Sequence, residues 1–596
     1  MERRELLRGV AALPLLALPG AAARGSGPAL QRVRPTDAAW PKPAQWQKLR
    51  QQVGDSLLEV QPLFAVCAAQ PAAAACRELN ANIRNPFFIG EQPAGTQVSG
   101  WLDAWTPAPS VYAVKARNSA EVVAAVNFAR TNRLRLVVKG GGHSYQGTSN
   151  CADSLLIWTR QMNQVSMHEA FVPAGCAGTL KPVPAVTAGA GAMWIDLYDA
   201  VTAQAGRYVQ GGGCTTVGVA GLIQSGGFGS FSKGFGTAAS HLLEAQIVTA
   251  DGKLRTVNAC SDPDLYWALK GGGGGSWGVI TRVTLRTHQL PEFFGGAWGT
   301  VKAQSDQAFQ RLLAHFVGFY AQNLLNRHWG EQVAVQRGNS LKISMVCQGL
   351  DPQQARAVWQ PFFDWIKASP GDFTVTEELG AGARAARSWW NPGGSHSMIR
   401  DSRAGAPAHH AYWQGDQDQV GAFLHAYDSM WLPVSLLQDH GPPRLVRALF
   451  AGSRYQDIGL HFNKGLAGAP DEAIGAALDT ATNPGVVGAF ALAIIADGQG
   501  SSYPGQPRAA LDLDAARKDA RAIDQAAGEL RGVAPDAGSY VSESNYFNSA
   551  WSRAFWGTNY EKLRSVKKRY DPDGLFFVHH GVASEEWSAD GFTRLT

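Results

Sequence analysis

The sequence predicts an α+β chain of two domains, and three observations carry that reading. Its 596 residues are enough for two sizeable cores. The first half alternates short apolar strand-like runs with helix-like runs and carries two glycine-dense loops, at 140–147 and 211–229. After a stretch of turn composition at 291–299, amphipathic helical runs alternate with strand-like runs up to about residue 500, a pattern that fits an antiparallel sheet covered by helices.

Taken in order, the chain opens on a charged segment with Arg3-Arg4, an apolar run and Ala21-Ala22-Ala23, which predicts a signal peptide over 1–23 of the twin-arginine type and export to the periplasm or beyond. Residues 24–100 are rich in Pro, Ala and Gln and read as an N-terminal extension with a few helices. Apolar spacing predicts a helix over 119–130 with a Ser or Asn cap, then a buried strand over 134–138. A strand over 183–189 and a helix over 193–206 follow; 245–257 reads as a hairpin turning on Asp251-Gly252, and 278–286 as a strand. The turn composition of 291–299 marks the candidate domain boundary. Beyond it the spacing predicts a helix over 305–325, strands over 341–346 and 490–495, and helix again from about 512.

Composition excludes several classes. With 53 Lys+Arg against 48 Asp+Glu, nothing calls for nucleic acid. A hydrophobic content of 45% without a long apolar segment after the N-terminus indicates a soluble protein with no stable membrane association, a monomer or small homo-oligomer. No metal-binding spacing and no internal repeat occurs. The 19 Trp suit large cores first and a stacking groove second.

The two glycine loops carry the chemistry. The first runs from an apolar strand through Gly140, Gly141 and Gly142 into His143, Ser144, Tyr145 and Gly147. The second holds Gly213, Cys214, Thr216, Val217, Gly218 and Gly221, then Ser225, Gly226, Gly227 and Gly229. Such glycine density lets backbone N–H groups close on a pyrophosphate. Each loop presents one side chain that is nucleophilic once deprotonated, so the pair suggests a dinucleotide attached to the protein at two points.

These segments, together with 264–271, Gly278-Val279-Ile280 within 275–281, and Asn559-Tyr560-Glu561 through Tyr570-Asp571-Pro572, occur in the order seen in one family. The chain resembles the berberine bridge enzyme-like oxidases of the vanillyl-alcohol oxidase (p-cresol methylhydroxylase) superfamily, from about Trp105 to Trp587. The resemblance implies FAD in a discontinuous domain, 101–295 completed by 501–596, with a substrate domain at 296–500. It also implies bicovalent FAD, bonded at its 8α-methyl carbon by His143 acting as neutral imidazole and at C6 by Cys214 acting as thiolate. With Cys214 so used, six cysteines remain for disulfides; Cys67–Cys76 and Cys151–Cys176 are plausible local pairs, leaving Cys260 and Cys347, with other pairings open.

Two rival motifs read weakly. Gly274-Gly275-Ser276-Trp277-Gly278 matches the hydrolase elbow in letters, but a helix-like run precedes it and a strand follows, the reverse of what that elbow needs. Gly189-Ala190-Gly191 starts like a dinucleotide fingerprint but has Trp194 where its last glycine belongs, so it reads as a strand-to-helix turn.

The implied reaction is oxidation of a C–H bond beside oxygen or nitrogen, most simply an alcohol or sugar hydroxyl, with O2 reduced to H2O2. Alternatives are a dehydrogenase, an oxidase of amines or phenols, or a binding protein that kept the fold and lost turnover. In the family a valine three residues after the attachment cysteine resembles the oxidases; here it is Val217. Many relatives carry Tyr-x-Asn-Tyr on a late strand, the second tyrosine serving as base in some carbohydrate oxidases. This chain has Tyr540-Val541-Ser542-Glu543, so Glu543 is the expected base, its pKa raised by desolvation, against a solvated or salt-bridged glutamate on a surface strand; Tyr540 and His580 are the fallbacks.

Overall fold

The computed structural model describes residues 30–394, 397–506 and 511–595; the predicted signal peptide lies outside the described residues. Among the described residues three large sheets build the molecule, with two small two-stranded ones beside them. A four-stranded sheet runs in the order Leu57–Glu59, Tyr112–Lys115, Ser154–Trp158, Arg135–Lys139. Its last three strands are parallel, and Leu155, Leu156 and Ile157 of the central one are fully buried, as a strand covered on both faces requires. Helix Ser119–Thr131 packs on this sheet, and the Asn118 side chain caps it by accepting from Glu121 N at 3.1 Å.

A five-stranded antiparallel sheet follows, in the order Val165–Phe171, Val183–Gly189, Val279–Arg286, Leu242–Val248, Leu254–Asn258. The third sheet has seven antiparallel strands, Phe373–Ala385, Phe293–Ala303, Ser340–Gln348, Trp329–Gln336, Ile458–His461, Ala489–Gln499 and Phe423–Pro433. Helices Asp306–Phe319, Pro352–Lys367, Gly441–Gly452 and Leu513–Arg531 bury one of its faces in the largest core of the molecule. The other face looks across a cavity toward the glycine loops.

Several expectations need correction. The stretch 291–299 is not a turn: Phe293–Ala303 is a long strand of the large sheet. Its glycines reflect close packing, since a Cβ on Gly295 would stand 2.2 Å from Gly382 O and one on Gly296 2.4 Å from Met345 O. The described part of 24–100 is woven into the first sheet rather than appended to it, with Leu57–Glu59 paired to Tyr112–Lys115. Helix Leu513–Arg531 belongs to the large sheet's core through Ile523, Ala526, Ala527 and Leu530, so the chain returns to the glycine-loop side only after it.

The disulfides are Cys67–Cys76, as expected, and Cys176–Cys260, which replaces the expected Cys151–Cys176. The loop after strand Val165–Phe171 lies across the end of the hairpin strand Leu254–Asn258, where Asn258 Nδ2 donates to Ala174 O at 3.0 Å. That crossing brings together cysteines 84 residues apart. Cys347 is a free thiol buried in the large sheet, and Cys151 is free and half-buried.

Candidate active site

The two glycine loops touch. Strand Arg135–Lys139 runs directly into Gly140, and a Cβ on Gly141 would stand 3.0 Å from Gly218 N and 3.1 Å from Thr216 O. Side chains there would force the loops apart. Lys139 anchors the first loop from beneath, donating to Gln92 O at 3.0 Å and Gly95 O at 3.1 Å; burial pulls its ammonium down to about 7. His143 Nε2 lies 3.1 Å from Thr216 Oγ1, which leaves Nδ1 for a ligand. Burial lowers His143 to about 4, so the ring is a neutral imidazole, as its expected role requires.

Between these loops and the open face of the large sheet lies a cavity of about 1960 Å³. Small-ligand pockets span roughly 300–1,000 Å³, so this one has room for a dinucleotide and a substrate together. All the glycine-loop and 278–280 residues named above line it except Thr216, Gly226, Gly227, Gly229 and Val279. Those five stand behind the wall. Thr216 backs His143, and Val279 is a core strand residue paired with Val248. The three glycines pack against neighbours: an added Cβ would meet Thr482 Oγ1 at 2.9 Å from Gly226, Ala238 Cβ at 2.9 Å from Gly227, and Gly211 O at 1.9 Å from Gly229.

Tyr540, Glu543 and His580 also line the cavity. Glu543 sits in a turn rather than on a strand, its backbone N bonded to Tyr540 O at 2.9 Å. Its Oε2 accepts from Lys464 Nζ at 2.5 Å, and the two side chains are only 20% and 12% exposed, so the ion pair belongs to the cavity wall and not to an open surface. Tyr540 is buried with its hydroxyl unpartnered, and burial and Glu543 raise its pKa well above the usual phenol value. His580 has a left-handed backbone, φ 53°, and stacks on His579 and Trp551. Burial lowers it to about 3, so it is neutral, and its buried Nδ1 has no partner.

The structure adds residues that the sequence did not announce. Glu331 and Asp416 face the same cavity, and burial raises both carboxyls, Asp416 to about 6. Ser230 Oγ donates to Glu331. Asp416 lies against Cys214. Burial, with Asp416 and Glu331, pushes the Cys214 thiol well above its ordinary value, while Lys464 pulls the other way. The thiolate expected there is therefore not preformed. Trp298, Arg384, Trp389, Trp413, Tyr427 and His461 also line the cavity. None of these belongs to a motif; a left-handed Glu331, φ 58° inside a strand, is a backbone signal that only coordinates reveal.

The rivals fall away on geometry. Helix Pro263–Leu269 precedes Ser276 and strand Val279–Arg286 follows it, the wrong order for a hydrolase elbow. Gly189 and Gly191 make a strand-to-helix turn so tight that Cβ atoms would stand 2.1 Å from Met162 O and 2.0 Å from Thr159 O.

The glycine cradle and the orphaned polar atoms on its walls, Gln224 Oε1, Asn463 Oδ1 and Tyr540 OH, fit a bound dinucleotide. Fold and site together define a flavoprotein of the vanillyl-alcohol oxidase type. Residues 110–258 match the FAD binding domain and residues 533–583 the berberine and berberine-like domain. The VAO-type flavoprotein oxidase VAO615 of Thermothelomyces thermophilus is 28% identical over 95% of each chain. The crystal structure of the VAO-type flavoprotein MtVAO615 from Myceliophthora thermophila C1 superposes with a TM-score of 0.75 at 25% identity, covering 94% of this chain and 99% of that one. Glucooligosaccharide oxidase from Acremonium strictum, described with a 6-S-cysteinyl, 8α-N1-histidyl FAD, shares the fold with a TM-score of 0.59 at 19% identity over 82% of this chain and 94% of its own. These matches make the chain an FAD-linked oxidoreductase similar to the berberine bridge enzyme-like oxidases.

Proposed function

We propose that this enzyme carries FAD bonded twice, through His143 and Cys214, and oxidises an alcohol or sugar hydroxyl with dioxygen as acceptor and hydrogen peroxide as product. The observation that carries this reading is the contact between the two glycine loops, which brings His143 and Cys214 into the lining of one cavity, with Asp416 against Cys214 and Glu331 beside Gly213. The doubly linked FAD described for the Acremonium strictum oxidase supports it. When bound, FAD supplies the hydride acceptor and the route for electrons to dioxygen.

The protein groups do the rest. Glu543 takes the substrate's hydroxyl proton, and Lys464, donating to Oε2, fixes the carboxylate's orientation. Tyr540, its phenol raised by burial, stays a proton donor at neutral pH; His580 is the remaining neutral acceptor. Trp298, Trp389 and Trp413 offer flat apolar faces and Arg384 a donor fork, a wall suited to a sugar ring. Val217 is small where it lines the cavity, leaving space for oxygen to approach. Export by a twin-arginine signal over 1–23 suits a protein loaded with cofactor before translocation, and two disulfides suit an oxidising compartment.

Anaerobic mixing with a panel of sugars, alcohols, amines and phenols tests the reading. A sugar or alcohol should bleach the flavin, and air should restore it rapidly with release of peroxide. Bleaching by amines or phenols alone would reassign the substrate, slow reoxidation in air with fast turnover on quinones would make it a dehydrogenase, and no bleaching by any compound would leave a binding protein.

A further inference from the structure

Segment 409–416 is clamped onto the cysteine loop at points that bracket Cys214. Thr215 Oγ1 donates to Ala411 O at 2.7 Å, and Trp413 Nε1 donates to Gly213 O at 3.1 Å. Upstream, His409 and His410 both reach Asp196 Oδ1, at 3.0 and 3.2 Å. The clamp delivers Asp416 against the Cys214 thiol. Asp416 is 8% exposed; the backbone of Trp413 and of Thr215 hydrogen-bonds its carboxylate, which also faces the Cys214 thiol, while the buried Oδ2 has no further partner among the described residues. A carboxylate held in this way is oriented toward the one acidic proton beside it, that of the Cys214 thiol.

We propose that Asp416 is the general base that takes the proton from Cys214 as the cysteine sulfur bonds to the flavin at C6. The inference rests on the proposed bond between Cys214 and FAD. The S–H bond breaks toward Asp416, the S–C6 bond forms, and the hydrogen on C6 leaves as a proton to solvent. The two electrons released pass through the ring to dioxygen, which takes up two protons and leaves as hydrogen peroxide. Thiol, FAD and dioxygen thus give thioether-linked FAD and hydrogen peroxide.

The surroundings of both groups agree with this division of labour. Burial and the neighbouring carboxylates push the Cys214 thiol up, so it does not ionise unaided at neutral pH. Burial also pushes Asp416 up to about 6, where it is still ionised at neutral pH but is a better base than an exposed aspartate. Lys464 favours the thiolate as it forms.

The test uses the full-length enzyme as Asp416→Asn and Asp416→Glu variants. Each is held in aerated buffer, sampled over time, denatured, alkylated with iodoacetamide, digested and read by mass spectrometry. In the wild type the Cys214 peptide should carry flavin and resist alkylation. In Asp416→Asn the His143 peptide should keep its flavin, which shows that the site has folded, while Cys214 links about 10²-fold more slowly or less and takes the alkyl group. Linkage should recover at alkaline pH, where hydroxide ionises the thiol, and in Asp416→Glu. Should Asp416→Asn fail to hold flavin, Asp416→Ser is read by the same criteria. Linkage in Asp416→Asn at the wild-type rate would overturn the proposal. So would slow linkage that stays slow at alkaline pH, since that marks a structural role. Cys214 free to alkylate in the wild type would overturn the bicovalent reading and this inference with it, a result separate from the others because it needs no variant.

Discussion

Replacing Glu543 with Gln separates the proton acceptor from everything else that side chain does. Glutamine keeps the length of the side chain, and the backbone bond from Glu543 N to Tyr540 O at 2.9 Å is untouched. The change lies at Oε2, where the ammonium of Lys464 would meet an amide instead of a carboxylate. A hydrogen bond to a charged group contributes about 1.5–3 kcal/mol and a neutral one about 0.5–1.5, so the stability loss should be about 1–2 kcal/mol. Removing a general base costs about 10²–10⁴-fold in rate, or about 3–5 kcal/mol of barrier at 1.36 kcal/mol per decade. The kinetic effect therefore exceeds the structural one and can be read beside it. Stopped-flow reduction of the flavin under anaerobic conditions, across pH, gives the rate, and absorbance of the denatured protein gives the covalent flavin content. The expected result is a fall of at least 10²-fold in reduction with full flavin content. Reduction at the wild-type rate across pH would refute the assignment and move the test to Tyr540.

Other consequences are open to measurement. Cys214→Ala should keep flavin attached through His143 and lower its redox potential, read by dye-equilibration titration; a raised potential would contradict the role given to the cysteine link. Cys260→Ser opens a loop closed over 84 residues, for which chain entropy gives a stabilisation of about 4.5 kcal/mol, so its denaturation midpoint should fall, and an unchanged midpoint would count against that pairing. The clamp through Asp196 and His409 should be strongest between two limits. Burial pushes Asp196 up, but hydrogen bonds from both histidines more than offset it and hold the carboxyl well below its usual range, so its contribution is lost only as pH falls through that depressed value. The hydrogen bond to Asp196 raises His409, with Asp199 adding to it, so its contribution is full below the ordinary imidazole value and is lost as pH rises through the raised one. Protection of 409–416 against hydrogen exchange, taken relative to the intrinsic rate at each pH, should fall on the alkaline side in the wild type, and His409→Ala should show no such step.

Local chemistry made much of this legible. Helix Ser119–Thr131 and strand Val183–Gly189 follow from spacing and capping within their own residues, and the two glycine runs announce the loops that carry His143 and Cys214. What escaped depends on contacts between distant segments. Gly295 and Gly296 read as turn residues, yet they serve a strand whose neighbours approach too closely for any Cβ. Cys176 and Cys260 meet because a loop crosses the end of a hairpin, which no spacing encodes. Glu331, Asp416 and Lys464 come from a strand, a six-residue helix and the end of a short 3₁₀ turn, and only the large sheet and its following loops bring them over the cavity. Glu543 was visible as a departure from a family pattern, but its pairing with Lys464 was not.

The central claim is the double attachment, and a peptide map tests it most directly. Denatured, digested enzyme should yield flavin mass on the peptide bearing His143 and on the peptide bearing Cys214, joined as one cross-linked species, with no flavin released into the supernatant by acid or heat. Flavin set free by denaturation, or found on peptides containing neither residue, would contradict the account.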